Sequence, residues 1–260
     1  MATALFNDII FGPIQSRRLG TSLGINLLPT NRKLCSFNCV YCECGWTEKK
    51  GEKGILPTRK EVRLELQTQL EQMLAENHLP DVITFAGNGE PTMHPEFAGI
   101  IDDTIELRNK LAPQSKIAVL SNATRISNPG VFQALLKIED NIQKLDSAIE
   151  TTVNVMDCPI GTYSIADTID RLVEFEGKVI IQTMLLKGEV NGVWFDNTTE
   201  EEMNALTQAI GKIKPAQVML YSISRDTPAD KLTKIGHQEL EKLAQQIEKL
   251  GLDISVQVSG

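Results

Sequence analysis

The feature that most constrains the fold of this chain is a regular alternation of short apolar runs with longer helical patterns. Six runs have the length and composition of buried strands, and a seventh near the end is a possible extra strand. They lie at residues 23–28, 81–86, 116–120, 141–145, 178–186, 216–221 and 253–258. Because these runs alternate with helices and lack hairpin turn signals, we expect parallel βαβ units.

The clearest helix begins after Thr58, which forms a predicted capping box with Glu61 and precedes an apolar face that includes Leu66 and Leu70. Further helical patterns cover 96–111, 129–138, 164–176, 199–213 and 237–250. Such an α/β pattern forms either an open doubly wound sheet or a complete or partial barrel. No linker or repeat divides the chain, so we expect one domain.

Unusual polar residues follow these strands, where α/β folds gather their chemistry. The first strand is followed by a cysteine-rich loop, and the second by the segment GNGEP. Candidates at or near the later strand ends are Ser121, Asn122, Lys144, Asp146, Gln182, Met184, Tyr221 and Ser222. All of them would converge on one end of a barrel.

Charge and composition limit the class of protein. The net charge of −8 argues against a general nucleic-acid or membrane-surface binder. Residues 1–60 nevertheless hold nine Lys/Arg and four Asp/Glu, which predicts either ordinary surface lysines or a positive rim around the cysteine loop. With no signal-peptide pattern and no apolar run of about 20 residues, we expect a cytoplasmic protein without membrane contact, whose thiols stay reduced.

Four of the five cysteines lie within ten residues, in LCSFNCVYCECG. Cys35, Cys39 and Cys42 have C-x3-C-x2-C spacing, and Cys44 follows. A disulfide framework is disfavoured in a reducing compartment. Structural zinc sites usually pair C-x2-C with a distant second pair, which Cys158 and the histidines do not supply. Close thiolate loops of this kind typically hold iron–sulfur clusters, although zinc remains the alternative.

The segment CSFNCVYC resembles the C-x3-C-x-aromatic-C motif of the radical S-adenosylmethionine (SAM) superfamily, with Tyr41 as the aromatic residue. GNGEP resembles the glycine-glycine-glutamate motif of that superfamily, with Asn88 in place of the first glycine. GPIQSRRLGTSLGINLLP, IQTMLLKG and DNTTEEE extend the likeness to a subgroup described by similarity to tRNA-wyosine synthases and glycyl-radical-enzyme activases. We therefore expect a partial (β/α)6 TIM-like barrel of parallel strands over 23–258, with 1–22 as an extension packed on it.

The resemblance implies a cofactor site with assigned residues. Cys35, Cys39 and Cys42 would bind three irons of a single 4Fe–4S cluster, and SAM would bind the fourth. A reduced cluster would cleave SAM to methionine and a 5′-deoxyadenosyl radical, which abstracts hydrogen from the substrate. Glu90 would accept a hydrogen bond from the SAM ammonium. The other cofactor-binding candidates are Tyr41, Gly87, Asn88, Gly89, Ser121, Asn122, Lys144, Asp146, Gln182 and Tyr221.

Several residues and partners stay open. Cys44 is expected to be a bystander, His94 to shape a helix start, and Cys158 to be a small packed side chain or a catalytic hydrogen donor. Arg17 and Arg18 would bind an anionic substrate or lie on the surface. An acidic flavodoxin or ferredoxin would donate electrons. A metabolite or a partner protein, as for an activase, is favoured over tRNA as the substrate, and a zinc-stabilised binding module is the alternative outside enzymes.

Overall fold

The computed structural model describes residues 5–16, 18–47 and 54–259. The strands are β1 (Ile10–Ser16), β2 (Gly20–Ile25), β3 (Val82–Phe85), β4 (Lys116–Ser121), β5 (Asp140–Lys144), β6 (Ile180–Met184), β7 (Leu186–Val190), β8 (Val193–Asp196), β9 (Gln217–Tyr221), β10 (Leu232–Lys234) and β11 (Ser255–Ser259). The helices are α1 (Arg59–Ala75), α2 (Phe97–Leu111), α3 (Pro129–Leu135), α4 (Glu150–Met156), α5 (Ile165–Val173), α6 (Glu200–Ile213) and α7 (His237–Glu248).

Eight strands form one curled sheet in the order β1-β2-β3-β4-β5-β6-β9-β11. From β2 to β11 every neighbouring pair is parallel, and β1 pairs antiparallel with β2 at one edge. The sheet forms a half-barrel, so the predicted partial TIM-like barrel is confirmed. The carboxyl ends of the parallel strands meet at one end of it, where the predicted site residues lie.

The two faces of the sheet bury different side chains, because successive residues of a strand point to opposite sides. The convex face packs Ile83, Val119 and Ile181 against the helices in the main hydrophobic core. The concave face carries a separate apolar layer, to which each central strand gives one residue. That layer consists of Val82, Ala118, Ile142, Ile180 and Met219, with Leu19 and Leu120 packed against it.

The predicted start of α1 is confirmed at the level of its cap. The Thr58 hydroxyl accepts the Glu61 N–H at 3.2 Å, and the Glu61 carboxylate accepts the Thr58 N–H at 2.7 Å. These bonds satisfy backbone groups that the helix itself leaves unpaired. The helix then buries Val62, Leu66 and Leu70 against the sheet.

The expectation that the chain lacks hairpins was wrong. β1 and β2 form one hairpin, and β7 and β8 form another within a small sheet ordered β10-β7-β8. Asn191 and Gly192 join β7 to β8 with φ of 52° and 81°. Asn-Gly is a typical two-residue hairpin turn, because both residues tolerate positive φ. The turn signal at residues 191–192 lies between the strand predicted at 178–186 and the helix predicted from 199, where no second strand was expected.

None of the helices in the described ranges is long and apolar enough to cross a membrane.

Candidate functional site

The cysteine loop, residues 34–45, is hydrogen-bonded by its backbone to the turn after β3. The Leu34 N–H donates to the Asn88 carbonyl at 2.8 Å, and the Glu90 N–H donates to the Leu34 carbonyl at 3.1 Å. Leu34 and Gly89 thereby form a parallel β-bridge. The two motifs singled out in the sequence are thus joined directly, although their first residues, Cys35 and Gly87, lie 52 positions apart in the chain.

A second set of backbone bonds holds the opposite side of the loop. The Ile160 N–H donates to the Ser36 carbonyl at 2.8 Å, and the Val40 N–H donates to the Met156 carbonyl at 2.9 Å. The segment 156–160 therefore runs alongside the cysteine loop. Sequence reasoning singled out only Cys158 in this segment and missed its role as a support for the loop.

Positions 87 and 89 require glycine, because other protein atoms lie where a Cβ would be. At Gly89, where φ is +139°, an added Cβ would lie 1.8 Å from the Leu34 carbonyl oxygen. At Gly87, where φ is +150°, it would lie 2.4 Å from the Asn26 side-chain oxygen. Both conformations favour glycine. The glycines were predicted to admit a cofactor, and the contacts described here show that they admit the cysteine loop and Asn26.

Asn88 has a structural explanation for its side chain. Its amide oxygen accepts the Phe6 N–H at 2.9 Å, and its amide nitrogen donates to the Phe6 and Pro29 carbonyls at 2.9 Å each. The residue is fully buried. These bonds occupy the amide that was predicted to contact a cofactor, so the side chain ties the amino-terminal segment to the turn.

Glu90 lies at the junction of two strand ends and is 2% exposed. One carboxylate oxygen accepts from the Thr92 N–H at 3.1 Å and the Thr92 hydroxyl at 2.5 Å. The other accepts from the Asn122 N–H at 2.6 Å. Burial raises the pKa of Glu90, and these hydrogen bonds oppose that rise. The Ser121 hydroxyl also hydrogen-bonds the Glu90 carboxylate.

Ser121 and Asn122 connect β4 to the cysteine loop. The Asn122 amide nitrogen donates to the Ser36 hydroxyl at 2.9 Å and lies 3.6 Å from the Cys35 sulfur. The Ser121 hydroxyl accepts the Ala123 N–H at 3.1 Å and stabilises a turn in which Ala123 has φ of 64°. The predicted meeting of these residues with the cysteines is therefore present in the structure.

The three thiols of the motif differ in their surroundings. Burial, followed by the charge of Glu90, raises the pKa of Cys35 to about 12, and burial raises the pKa of Cys39. A hydrogen bond from Cys44 is the main cause that lowers the pKa of Cys42 to about 5, and Lys33 adds to it. Its neighbours therefore favour the thiolate form of Cys42 over the thiol.

Lys33 is a site residue that was predicted to lie on the surface, either as an ordinary lysine or as part of a positive rim. Its side chain is instead buried, at 4% exposure, and its ammonium donates to the Gly45 carbonyl at 2.8 Å. Burial alone would lower the pKa of Lys33, but the neighbouring charges of Cys42, Cys35 and Cys39 outweigh it and the pKa is raised. The lysine thus supplies a buried positive charge beside the cysteines, where it stabilises the thiolate form of Cys42.

The remaining candidates have local roles. The Cys44 sulfur lies 3.4 Å from the Gly87 carbonyl oxygen, and the Cys158 thiol donates to the Val155 carbonyl at 3.3 Å. Burial raises the pKa of Cys158. His94 is buried; its Nε2 lies 2.8 Å from the Pro57 carbonyl oxygen and its Nδ1 accepts the Glu96 N–H. Both ring nitrogens of His94 are therefore in use.

Tyr41, Lys144 and Asp146 form one buried cluster that includes an unpredicted member, Asp157. The Lys144 ammonium contacts the Tyr41 hydroxyl and the Asp146 carboxylate, and it pairs with Asp157 at 2.7 Å. The Tyr41 hydroxyl donates to Asp146, whose other oxygen accepts the Met184 N–H at 2.8 Å. Asp157 also contacts the Cys39 thiol, so the cluster adjoins the cysteine loop.

Gln182 and Tyr221 meet Arg18 on the concave side. The Arg18 guanidinium lies 4.5 Å from the centre of the Tyr221 ring, and the Gln182 amide oxygen faces it. Ser222 is buried, and its hydroxyl donates to the Leu185 carbonyl at 2.7 Å. Ser222 therefore has a structural partner.

The loop residues fit an iron–sulfur cluster by their chemistry. The three thiols of the motif, and Cys44 beside them, are free of disulfides on one short loop. A buried ammonium lies beside them, and two N–H groups approach the Cys35 sulfur. Within the described ranges, no three His, Cys, Asp or Glu side chains are grouped so as to hold a single metal ion. A structural zinc site needs four ligands around one ion, whereas a cluster gives each thiolate its own iron.

The predicted positive rim is only partly present among the described residues. Arg18 turns into the half-barrel, Lys33 is buried, and Arg59 pairs with Asp103 at 2.6 Å. Arg17, Lys49, Lys50 and Lys53 lie outside the described residues.

Comparison with known proteins identifies relatives over most of the chain. The model of the Radical SAM superfamily matches residues 33–192, which is more than half of the sequence. A protein named GTPase Obg from Brachyspira hyodysenteriae is 29% identical over 92% of this chain, which spans only 33% of that protein. The UPF0026 protein slr1464 of Synechocystis sp. is 30% identical over 84% of this chain and 77% of its own length.

A solved structure supports the same fold. The radical SAM methyltransferase from Sphaerobacter thermophilus superposes with a TM-score of 0.66 at 15% identity. The match covers 92% of this chain and 66% of the methyltransferase. At this identity the likeness concerns the fold.

Proposed function

Since this chain belongs to the radical SAM superfamily, we propose that it is an enzyme that uses one 4Fe–4S cluster and SAM to start a radical reaction. The observation that carries the proposal is the backbone bridge between Leu34 and Gly89, which joins the cysteine loop to the turn bearing Glu90. Thiolate ligands and a buried carboxylate for an ammonium group are thereby held side by side. Membership of the superfamily supports SAM cleavage, and the single cluster is our proposal.

The cluster and SAM, when bound, would supply a 5′-deoxyadenosyl radical that removes hydrogen from the substrate. Cys35, Cys39 and Cys42 would hold three irons, and Lys33 would offset their negative charge. Glu90 would accept a hydrogen bond from the SAM ammonium, because its buried carboxylate lies beside the cysteine loop.

The other candidate contacts are proposed from their position at the same end of the half-barrel. Tyr41, Ser121, Asn122, Gln182 and Tyr221 would line the SAM pocket. Lys144 and Asp146, with Asp157, would fix the orientation of Tyr41 through the buried cluster described above. For Gly87, Asn88 and Gly89 we propose support of the pocket, since Gly87 and Gly89 make their close approaches to protein atoms and the Asn88 amide is occupied.

Anaerobic purification tests the proposal. We expect a brown protein with about four irons per chain and a visible band bleached by dithionite. The reduced protein should convert SAM to 5′-deoxyadenosine, and Cys39→Ala should lose both iron and this product. Cys158→Ala is the matched control, because Cys158 donates to a backbone carbonyl in α4 and should keep its iron. A colourless protein with one zinc would overturn the proposal.

Radical SAM enzymes need a reductant, and we propose an acidic flavodoxin or ferredoxin as the donor. The net charge of −8 gives no general attraction to nucleic acid, so a metabolite or a partner protein is the proposed substrate. Turnover with a flavodoxin donor should fall as ionic strength rises, because salt screens attraction between exposed charges. Turnover that is independent of salt would remove charge steering from the proposal.

A further inference from the structure

The turn between β1 and β2 is built to direct Arg18 into the half-barrel. The Ser16 hydroxyl accepts the N–H groups of Arg18 and Leu19 at 3.3 and 3.2 Å. The Thr21 N–H donates to the Asp81 carboxylate at 2.7 Å, which fixes the turn to the start of β3. Leu19 packs on the apolar layer of the concave face. With its neighbours anchored, the Arg18 side chain has a defined direction.

The groups that contact the Arg18 guanidinium inside the half-barrel are neutral. It lies over the Tyr221 ring, within hydrogen-bonding reach of the Tyr221 hydroxyl, and Gln182 turns its amide oxygen toward it. Burial raises the pKa of Tyr221 to about 12, so this phenol stays neutral at physiological pH. Among the residues that the structure describes, Arg18 forms no ion pair with a carboxylate.

Arg18 is half-buried. A guanidinium that is partly withdrawn from water favours an anionic partner, because it has five N–H donors and a permanent charge. Arg18 also lines two cavities. One lies toward the cysteine loop and is shared with Tyr41 and Met184. The other, of about 910 Å³, opens at the amino-terminal ends of the strands and is of a size that suits a small molecule.

The charges around the larger cavity favour one class of anion. Asp81 and Asp140 line it, and Lys116 is already paired with Asp140 at 3.3 Å. The two carboxylates would repel a doubly charged phosphate, and the single positive charge of Arg18 would offset only part of that repulsion. A single carboxylate matches the fork of one arginine and carries half the charge.

We propose that Arg18 binds a carboxylate of the substrate, which makes the substrate of this enzyme a small carboxylic acid. That the bound acid is the substrate rests on the proposed function, whereas carboxylate binding by Arg18 does not. Gln182 holds the guanidinium, and the Tyr221 ring stacks on it. The rest of the substrate then extends toward the cavity shared with Tyr41 and Met184.

The test measures binding of propionate and of inorganic phosphate to the anaerobically purified protein by ligand-observed NMR. We expect propionate to bind and Arg18→Gln to weaken it at least tenfold. Arg18→Lys keeps the charge but loses the two-pronged geometry, and should weaken it by about threefold to tenfold. Arg171→Gln removes an equal charge from an exposed pair with Glu174 and should leave propionate binding unchanged.

Each other result overturns the proposal. If phosphate binding depends on Arg18 and propionate binding does not, the ligand of Arg18 is a phosphorylated compound. A loss of SAM affinity in both Arg18 variants with unchanged propionate binding would assign Arg18 to the SAM carboxylate. If Arg18→Gln does not fold, an unaltered propionate affinity in Arg18→Lys overturns the proposal. A protein without iron or 5′-deoxyadenosine formation defeats the proposed function, yet the propionate measurement remains readable.

Discussion

The Glu90 carboxylate accepts a hydrogen bond of 2.6 Å from the Asn122 N–H, and this bond ties the turn after β3 to the end of β4. The same carboxylate accepts two hydrogen bonds from Thr92. Glu90 is therefore held in place by the protein before any ligand is considered. A residue fixed in this way can receive an ammonium group without losing side-chain freedom on binding.

Glu90→Gln should weaken SAM binding at least tenfold, because the proposed ammonium contact loses its charged acceptor. It should also lower the free energy of unfolding by about 1–3 kcal/mol at pH 5, since an amide N–H₂ would face an N–H donor. SAM affinity is measured by equilibrium dialysis of the anaerobic protein, and unfolding by urea titration.

The pH dependence of the same variant checks the buried state of Glu90. Burial raises the pKa of Glu90 above its ordinary value of 4.5. The folded state thus binds the proton more tightly than the unfolded state does. This contribution to the free energy of unfolding is lost as the pH rises through the pKa of Glu90 in the folded protein. The stability difference between wild type and Glu90→Gln should therefore narrow from pH 5 to pH 8. A gap that widens with pH would contradict the raised pKa.

Gly89→Ala should separate the cysteine loop from the turn after β3. The new Cβ would lie 1.8 Å from the Leu34 carbonyl oxygen, and the backbone there has positive φ. We expect a loss of roughly 3 kcal/mol in the free energy of unfolding, together with a lower iron content after reconstitution.

Gly161→Ala is the control for Gly89→Ala. Gly161 also has positive φ, at 93°, but an added Cβ meets nothing within 4 Å. The control therefore carries backbone strain without a clash, and should cost about 1 kcal/mol with iron content retained. Equal effects of the two substitutions would show that the Leu34 contact is unimportant.

The sequence predicted the parallel half-barrel and the superfamily, because both depend on local patterns. Strand and helix periodicity is visible within windows of a few residues, and the spacing of Cys35, Cys39 and Cys42 lies on one loop. Active-site residues gather at the carboxyl ends of parallel strands, and this rule predicted that Glu90 and Asn122 lie near that loop. Strand order follows from the βαβ rule once the strands are known.

Other features of the site could not be read from the sequence because they depend on long-range contacts. The support of the cysteine loop by the segment 156–160 is made of backbone bonds, which leave no side-chain pattern. For Lys33 the sequence left a surface position or a positive rim open, and for Arg18 a surface position or an anion site. Only the tertiary fold shows that both side chains turn inward. Asp157 was overlooked since a single acidic residue after α4 has no distinctive spacing from Lys144.

Lys144→Met should be strongly destabilising, because Asp146 and Asp157 would remain buried without a positive partner. We expect a loss of about 3–5 kcal/mol, measured by urea unfolding at pH 7. Adding Asp157→Asn to Lys144→Met should recover part of this loss, since one uncompensated charge is removed. A double variant that is less stable than Lys144→Met alone would show that Asp157 does not depend on Lys144.

The last prediction concerns the thiolate at Cys42. A hydrogen bond from Cys44 is the largest cause of its low pKa of about 5, and the positive charge of Lys33 also contributes. In reduced protein stripped of iron, alkylation of Cys42 by iodoacetamide should therefore reach its full rate by about pH 6. Cys44→Ala and Lys33→Met should each move this profile to higher pH, with the larger shift in Cys44→Ala. Peptide mass spectrometry follows the reaction at Cys42 alone, and Cys158, whose pKa is raised, serves as the internal comparison. A Cys42 profile that stays fixed in both variants would show that neither neighbour stabilises the thiolate.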